Sequence, residues 1–366
     1  MKRGKRGLAV GAFGLSVSFA FLAALAACGG SNGGGFFAPG SDGGSNGSGN
    51  NGTSSGGGNG GSSSSGGTPI ITGGGSGGAD GGTSSGCSAA SQLVYVLSTD
   101  NDIYSFDPPS KTFTKVSTLG CNVDATTTPN SMAVDREGNA WVNYVTIDPI
   151  LETTTGGSIY KVDIATGNCT PTNITLSGDW YQLGMGYSTA SATDTTDTLY
   201  VAATNSTNSS CAGGGGGFGG GGGGGKKSQS AGLATIDTAA QTLTPIGPFT
   251  APLAGQSAEL TGTGDGRLFG FFVLDPIQLA QIDKATGATA TPVTMTGVNC
   301  PVLAWAFSFW GGDFYLYTAP DTMTPSTVTH YSTGNGGIDT SYASATFTIV
   351  GAGVSTCAPT TQPPPK

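Results

Sequence analysis

One histidine, His330, and three glutamates, Glu137, Glu152 and Glu259, are all that 366 residues hold of those two types. A histidine base for hydrolysis therefore has a single candidate, and it sits in a middle strand of the pattern described below, away from any ring axis. No G-x-S-x-G elbow occurs. No C-x-x-C occurs either, so the paired thiolates or imidazoles of zinc and copper sites are missing. No metal and no cofactor is expected. Charged residues are 10% of the chain and the net charge is −9. An acidic surface repels phosphate backbones, which excludes nucleic acid as a partner. Beyond residue 86, helical periodicity is absent.

What is present begins at the N-terminus. Lys2, Arg3, Lys5 and Arg6 form a positive n-region, and residues 8–27 an apolar stretch too short and too rich in small residues to span a bilayer well. It ends Leu25-Ala26-Ala27-Cys28. This run resembles the bacterial lipobox, in which a small residue precedes a cysteine that is acylated and becomes the new N-terminus. The resemblance implies a signal peptide over 1–27, palmitate-type lipidation of Cys28, and attachment to a membrane through that lipid. Several acyl chains hold a protein far more firmly than one. Gly29 and Gly30 follow, with no Asp to direct retention at the inner membrane, so the outer membrane is the expected location, on either face. Cleavage removes four of 13 basic groups and no acidic one, leaving nine against 22 and a net charge of −13. Such a surface does not adhere to anionic lipid, so the lipid itself must anchor the chain.

Residues 29–86 are almost entirely Gly, Ser, Asn and Thr. They cannot bury enough apolar area to offset the entropy of ordering, so 28–86 reads as a lipidated cysteine on a disordered tether. A coil of that length spans on the order of 40 Å. A second glycine run, 212–225, marks a disordered insertion over about 203–231. The tail 359–366 ends in prolines and is expected to fray.

Between them, 87–358 repeats a pattern of short strands. Ile103-Tyr104-Ser105-Phe106-Asp107, Ile159-Tyr160-Lys161-Val162-Asp163, Leu233-Ala234-Thr235-Ile236-Asp237 and Leu279-Ala280-Gln281-Ile282-Asp283 each lead through a turn into a Thr-rich strand. Thr327-Val328-Thr329-His330-Tyr331 is a degenerate fifth copy. Upstream of each lies an apolar strand such as Val94-Tyr95-Val96-Leu97 or Phe314-Tyr315-Leu316-Tyr317. Upstream of four of those lies a candidate inner strand: 132–135, 183–186, 258–261 and 305–308. The predicted fold is an all-β propeller of about five four-stranded blades. The first unit lacks its inner strand. Gly351-Ala352-Gly353-Val354-Ser355-Thr356, similar to Gly184-Met185-Gly186-Tyr187-Ser188-Thr189, is spare at the C-terminus and would close the ring. Closure removes sheet edges that invite aggregation.

Six cysteines remain once Cys28 is set aside, and an even set in an exported chain reads as disulfides. Ring closure brings Cys357 to Cys87, a staple between distant residues. Cys121–Cys169 and Cys211–Cys300 are then left. Counting along flat strands puts Cys121 and Cys169 at opposite ends of their outer strands, which argues against that pair, so the second and third pairings stay open.

Asp135-Arg136-Glu137-Gly138-Asn139-Ala140-Trp141-Val142 resembles the D-x-x-G-N-x-W-V turn of NHL- and gluconolactonase-like propellers. The Asp-x-x-Thr-Gly turns at Asp163 and Asp283 resemble those of quinoprotein-like and YVTN-type repeats. The chain as a whole is similar to Gly/Ser-rich lipoproteins of soil bacteria. These likenesses imply an architecture and a location and assign no activity.

The recurrence of Asp107, Asp163, Asp237 and Asp283 is itself the argument for a turn role, since an Asp before a tight turn accepts backbone N–H groups. Asp100-Asn101-Asp102 and Asp265-Gly266 offer oxygen ligands, but without the twelve-residue calcium loop. Glu259 is the glutamate on an inner strand, where it can face the channel. Trp305 opens the aromatic run Trp305-Ala306-Phe307-Ser308-Phe309-Trp310 beside the axis, and alternation sends part of that run into the core. Insertions fall in the second-to-third-strand connections, 146–157, 203–231 and 319–325, which share one face of a propeller. The expected function is a non-enzymatic, monomeric module binding an envelope protein, glycan or other envelope component through that face. The alternative is a glycan-active or lactonase-like hydrolase using channel carboxylates, which needs two or more converging acids.

Overall fold

The computed structural model describes residues 87–151, 153–204, 211 and 230–364. Cys28, the tether, Glu152 and most of the 203–231 insertion lie outside them. Runs of β-branched and aromatic residues closed by Asp, Gly or Pro form the strands. Blade one contains β1 (Val94–Ser98), β2 (Asp102–Asp107) and β3 (Thr112–Thr118). Blade two is β4 (Thr127–Val134), β5 (Asn139–Ile147), β6 (Thr154–Asp163) and β7 (Cys169–Pro171). Blade three is β8 (Leu183–Thr189), β9 (Asp197–Ala203), β10 (Leu233–Asp237) and β11 (Thr242–Gly247). Blade four is β12 (Ala258–Gly262), β13 (Leu268–Phe272), β14 (Gln278–Ile282) and β15 (Val293–Thr294). Blade five is β16 (Ala304–Trp310), β17 (Asp313–Ala319), β18 (Thr327–Tyr331) and β19 (Ile338–Ser344). The last strand, β20 (Ile349–Gly353), pairs antiparallel with β1 and completes blade one. Each sheet is four-stranded and antiparallel, and the chain end closes the ring.

The inner strands β20, β4, β8, β12 and β16 contact one another in sequence around the axis. Glycines allow the close approach. A Cβ added at Gly184 would overlap the Ala258 carbonyl oxygen on β12, and one at Gly353 would fall 2.8 Å from the Val134 side chain on β4. Apolar side chains of neighbouring blades fill the interfaces. Phe269, Phe271, Phe307 and Leu316 join blades four and five, for example, and Trp141, Ile159, Leu183 and Met185 join blades two and three.

Sheet twist explains the outer cysteines. Adjacent strands rotate by about 20–25°, so three steps turn an outermost strand by roughly 60–75° from its inner strand. Each outer strand therefore exits towards the next blade's outer turn. Gly120 N–H donates to the Gly167 carbonyl at 2.9 Å, and the Ser117 hydroxyl to that of Ile164 at 2.6 Å. The same approach recurs at Asn173 with Gln241, at Thr250 with Thr289 and at Tyr342 with Pro108. The Cys121–Cys169 disulfide sits at this junction with its Cα atoms 5.0 Å apart. The strand-counting objection to that pair is thus corrected, because it ignored the twist. Cys87–Cys357 links residues 270 apart in sequence with Cα atoms 5.7 Å apart, and Cys211 is joined to Cys300 at 4.7 Å.

Two local expectations change. Half of 146–157 is strand rather than loop, because β5 and β6 extend past their neighbours and leave only 148–153 between them. The start of the tail is held in place: Gly311 N–H donates to the Pro359 carbonyl at 2.7 Å, and the Gln362 amide to Asp313 at 3.2 Å.

Candidate functional site

The turn aspartates act as local acceptors. Asp163 takes the Thr166 N–H at 3.0 Å, and Asp237 those of Ala239 and Ala240 at 2.9 and 2.8 Å. Asp283 takes the Ala285 and Thr286 N–H groups and the Thr286 hydroxyl, and these bonds, the hydroxyl's first, hold its carboxyl below the usual range. Asp107 differs. Pro109 has no N–H to give, and Asp107 accepts the Ser110 hydroxyl at 2.5 Å instead. Asp135 in the D-x-x-G-N-x-W-V turn is buried and receives the Asn139 N–H at 2.8 Å and the Trp141 indole at 3.1 Å, while Gly138 adopts φ 85°. Next to it, Arg136 and Asp197 form a buried pair at 3.3 Å that also takes the Thr356 hydroxyl. Asp102 and Asp265 face cations, Lys115 at 2.7 Å and Arg267 at 2.6 Å. Among the described residues no group of three or more His, Cys, Asp or Glu side chains is placed to hold a metal. His330 bonds Asp313 at 2.9 Å and stacks on Tyr315, on the side of blade five.

Glu259 has a different setting. In register, five inner-strand positions lie opposite corresponding residues of the repeated second strand: Gly351 opposite Leu97, Ser131 opposite Asn143, Gly184 opposite Ala202, Glu259 opposite Phe271, and Ala306 opposite Tyr317. Four are small, and they leave the space that the Glu259 side chain occupies. It is 3% exposed. The Ser131 hydroxyl, two blades away, donates to it at 2.8 Å across the axis. Burial pushes its carboxyl well above the usual carboxylate range, against the opposing bonds from Ser131 and the Met185 N–H.

Glu259 and Trp305 meet at the mouth of the ring, on the face of the second-to-third-strand loops. Carboxamides shape this mouth. Gln182 donates to Asn130 at 2.9 Å, Asn130 donates to the Leu183 carbonyl at 2.7 Å, and Leu183 N–H donates to the buried Asn143 at 3.0 Å. Among the described residues lining it, Glu259 is the one ionisable group. The cavity is about 20 Å³, room for about one water. Phe307, Phe309 and Trp310 are buried in the blade interfaces, leaving Trp305 as the half-buried member of that run.

Two further features share this face. A groove of about 320 Å³ lies where residues 297–302 meet the β17–β18 loop. Ile150 and Leu151 at the β5–β6 loop and Met323 at the β17–β18 loop are 88, 62 and 87% exposed. The insertions in these loops point to the face, but composition alone does not show that its apolar residues stay outside the core.

The sequence matches no protein-family model and no curated protein. Similar solved structures include a luciferin-regenerating enzyme, 13% identical over 72% of this chain and 88% of that one, with a TM-score of 0.38. A gluconolactonase of Xanthomonas campestris is 13% identical over 62% and 68%, with a TM-score of 0.36. The Dos1 propeller is 10% identical over 74% and 71%, with a TM-score of 0.35. Likeness of this size says nothing of activity, and the architecture rests on the chain's own five blades.

Proposed function

We propose that this chain is an outer-membrane lipoprotein, acylated at Cys28, whose propeller binds an envelope protein, glycan or other envelope component through its loop face. The observation that carries the reading is the placement on one face of three exposed apolar side chains, Ile150, Leu151 and Met323, and of an open groove. Exposed apolar surface on otherwise polar loops marks interaction sites. The chain enters the domain at Cys87, beside Arg136 in the turn between β4 and β5, on the opposite face. A lipid tether arriving there leaves the loop face free.

The hydrolase alternative needs two acids converging on a substrate-sized cavity. Among the described residues Glu259 is the one acid at a mouth with room for a water, and burial raises its carboxyl above the usual carboxylate range.

Mass spectrometry of the membrane-purified protein is expected to find an acylated Cys28, and Cys28→Ala is expected to release the chain from membranes. Cross-linking on envelopes is expected to capture one component with the wild type and lose it with Ile150→Ser/Leu151→Ser/Met323→Ser, whose side chains carry no core packing. Hydrolysis of a lactone or glycan that disappears in Glu259→Gln would overturn the reading.

A further inference from the structure

We propose that the groove between blades four and five binds an uncharged oligosaccharide, an inference that rests on the loop face being the binding face. Its volume, about 320 Å³, lies at the small end of ligand sites. None of its described lining residues is ionisable. A charged ligand would give up hydration there with no counter-charge to receive it.

The wall offers hydroxyl groups from Thr318, Thr327, Thr329 and Thr340 and the amide of Asn299. A hydroxyl both donates and accepts, as each sugar hydroxyl does, so such a wall can pair with a polyol in many local arrangements. Pro301, Pro320 and Pro325 add apolar surface for the C–H faces of a ring. The same prolines remove backbone donors, which disfavours a peptide adding itself as a strand. Thr318 pairs with Thr327 in register, so both stand on one face of blade five. The wall is also held in shape: Cys300 is bonded to Cys211, and Val302 N–H donates to the Cys211 carbonyl at 3.4 Å. A wall fixed before binding loses less entropy on binding.

Titration calorimetry of the mature chain with cellotriose, N,N′-diacetylchitobiose, a trigalacturonate and a proline-rich peptide tests this. Saturable binding of at least one neutral sugar is expected, with none by the trigalacturonate or the peptide. Thr329→Val with Thr340→Val keeps the shapes and removes two hydroxyls, and is expected to weaken the sugar about five-fold or more. Thr340→Trp at an exposed position is expected to block the groove without touching the core, and covers the case in which the buried Thr329 change unfolds the blade. The proposal falls if no neutral sugar saturates, if the peptide or the trigalacturonate binds, or if Thr340→Trp binds sugar as the wild type does. Envelope cross-linking that survives Thr340→Trp alongside absent sugar binding would sink this inference and leave the loop-face reading standing.

Discussion

Replacing Glu259 by Gln tests the ring centre directly. The amide keeps the length of the side chain. Its oxygen can accept from the Ser131 hydroxyl and the Met185 N–H, as the carboxyl does. Its NH₂ takes the place of the acid O–H as a donor. What changes is titration. Burial raises the native Glu259 carboxyl above its ordinary 4.5. The native state therefore holds this proton more tightly than the unfolded chain. The contribution to stability is complete below pH 4.5 and is lost as pH rises towards the native value. The loss is at most about 1.4 kcal/mol per pH unit. Glutamine loses nothing over that window. The variant should match the wild type at pH 4 and become progressively more stable above pH 4.5. For a domain of this size, 1.4 kcal/mol corresponds to about 3 °C in Tm. Paired thermal melts from pH 4 to 8 measure the difference. Two parallel curves would refute the reasoning, because they would mean that Glu259 titrates alike in the folded and unfolded chain.

Two other perturbations read the ring. Loss of the Cys87–Cys357 link, which spans 270 residues, should lower stability by about 5.6 kcal/mol by loop entropy, against about 4 for Cys121–Cys169. Denaturant titration of the two double-serine variants should therefore rank the first as the weaker, and the reverse order would count against the chain-entropy account. Gly184→Ala would push a Cβ into the Ala258 carbonyl, whereas Gly334→Ala meets nothing within 4 Å. The first should lose about 3 kcal/mol or more and the second stay within about 0.5, and equal melting points would show that the inner strands are not in backbone contact.

The blades were legible because each is written locally: alternating apolar strands, closed in four of the five by an Asp before the turn. Ring closure was legible for a related reason. The glycines shared by β8 and β20 answer one requirement in both places, the approach of a neighbouring inner strand. The Cys121–Cys169 junction was not legible from flat strands, because it depends on twist accumulated over a whole blade. The setting of Glu259 was not legible either. It depends on Ser131, 128 residues earlier, and on the small size of residues from four other blades. Ile150 and Leu151 have the composition of core, and only their place at the tip of a lengthened hairpin exposes them.

A repeat separates structural from functional demands. Where a position recurs with the same chemistry in several blades, the blade requires it, and Asp163, Asp237 and Asp283 are accounted for by the turn bonds they make. A residue that departs from the repeat has no such account. Glu259 stands where the other blades carry Gly351, Ser131, Gly184 and Ala306. Ile150, Leu151 and Met323 occupy connections that are tight turns in blade one. The groove threonines line blade five, whose third strand is the degenerate copy. These departures gather on one face of the ring and around its mouth. Local rules are broken most readily where function sets the residue, and here they are broken together on the face away from the chain's entry at Cys87.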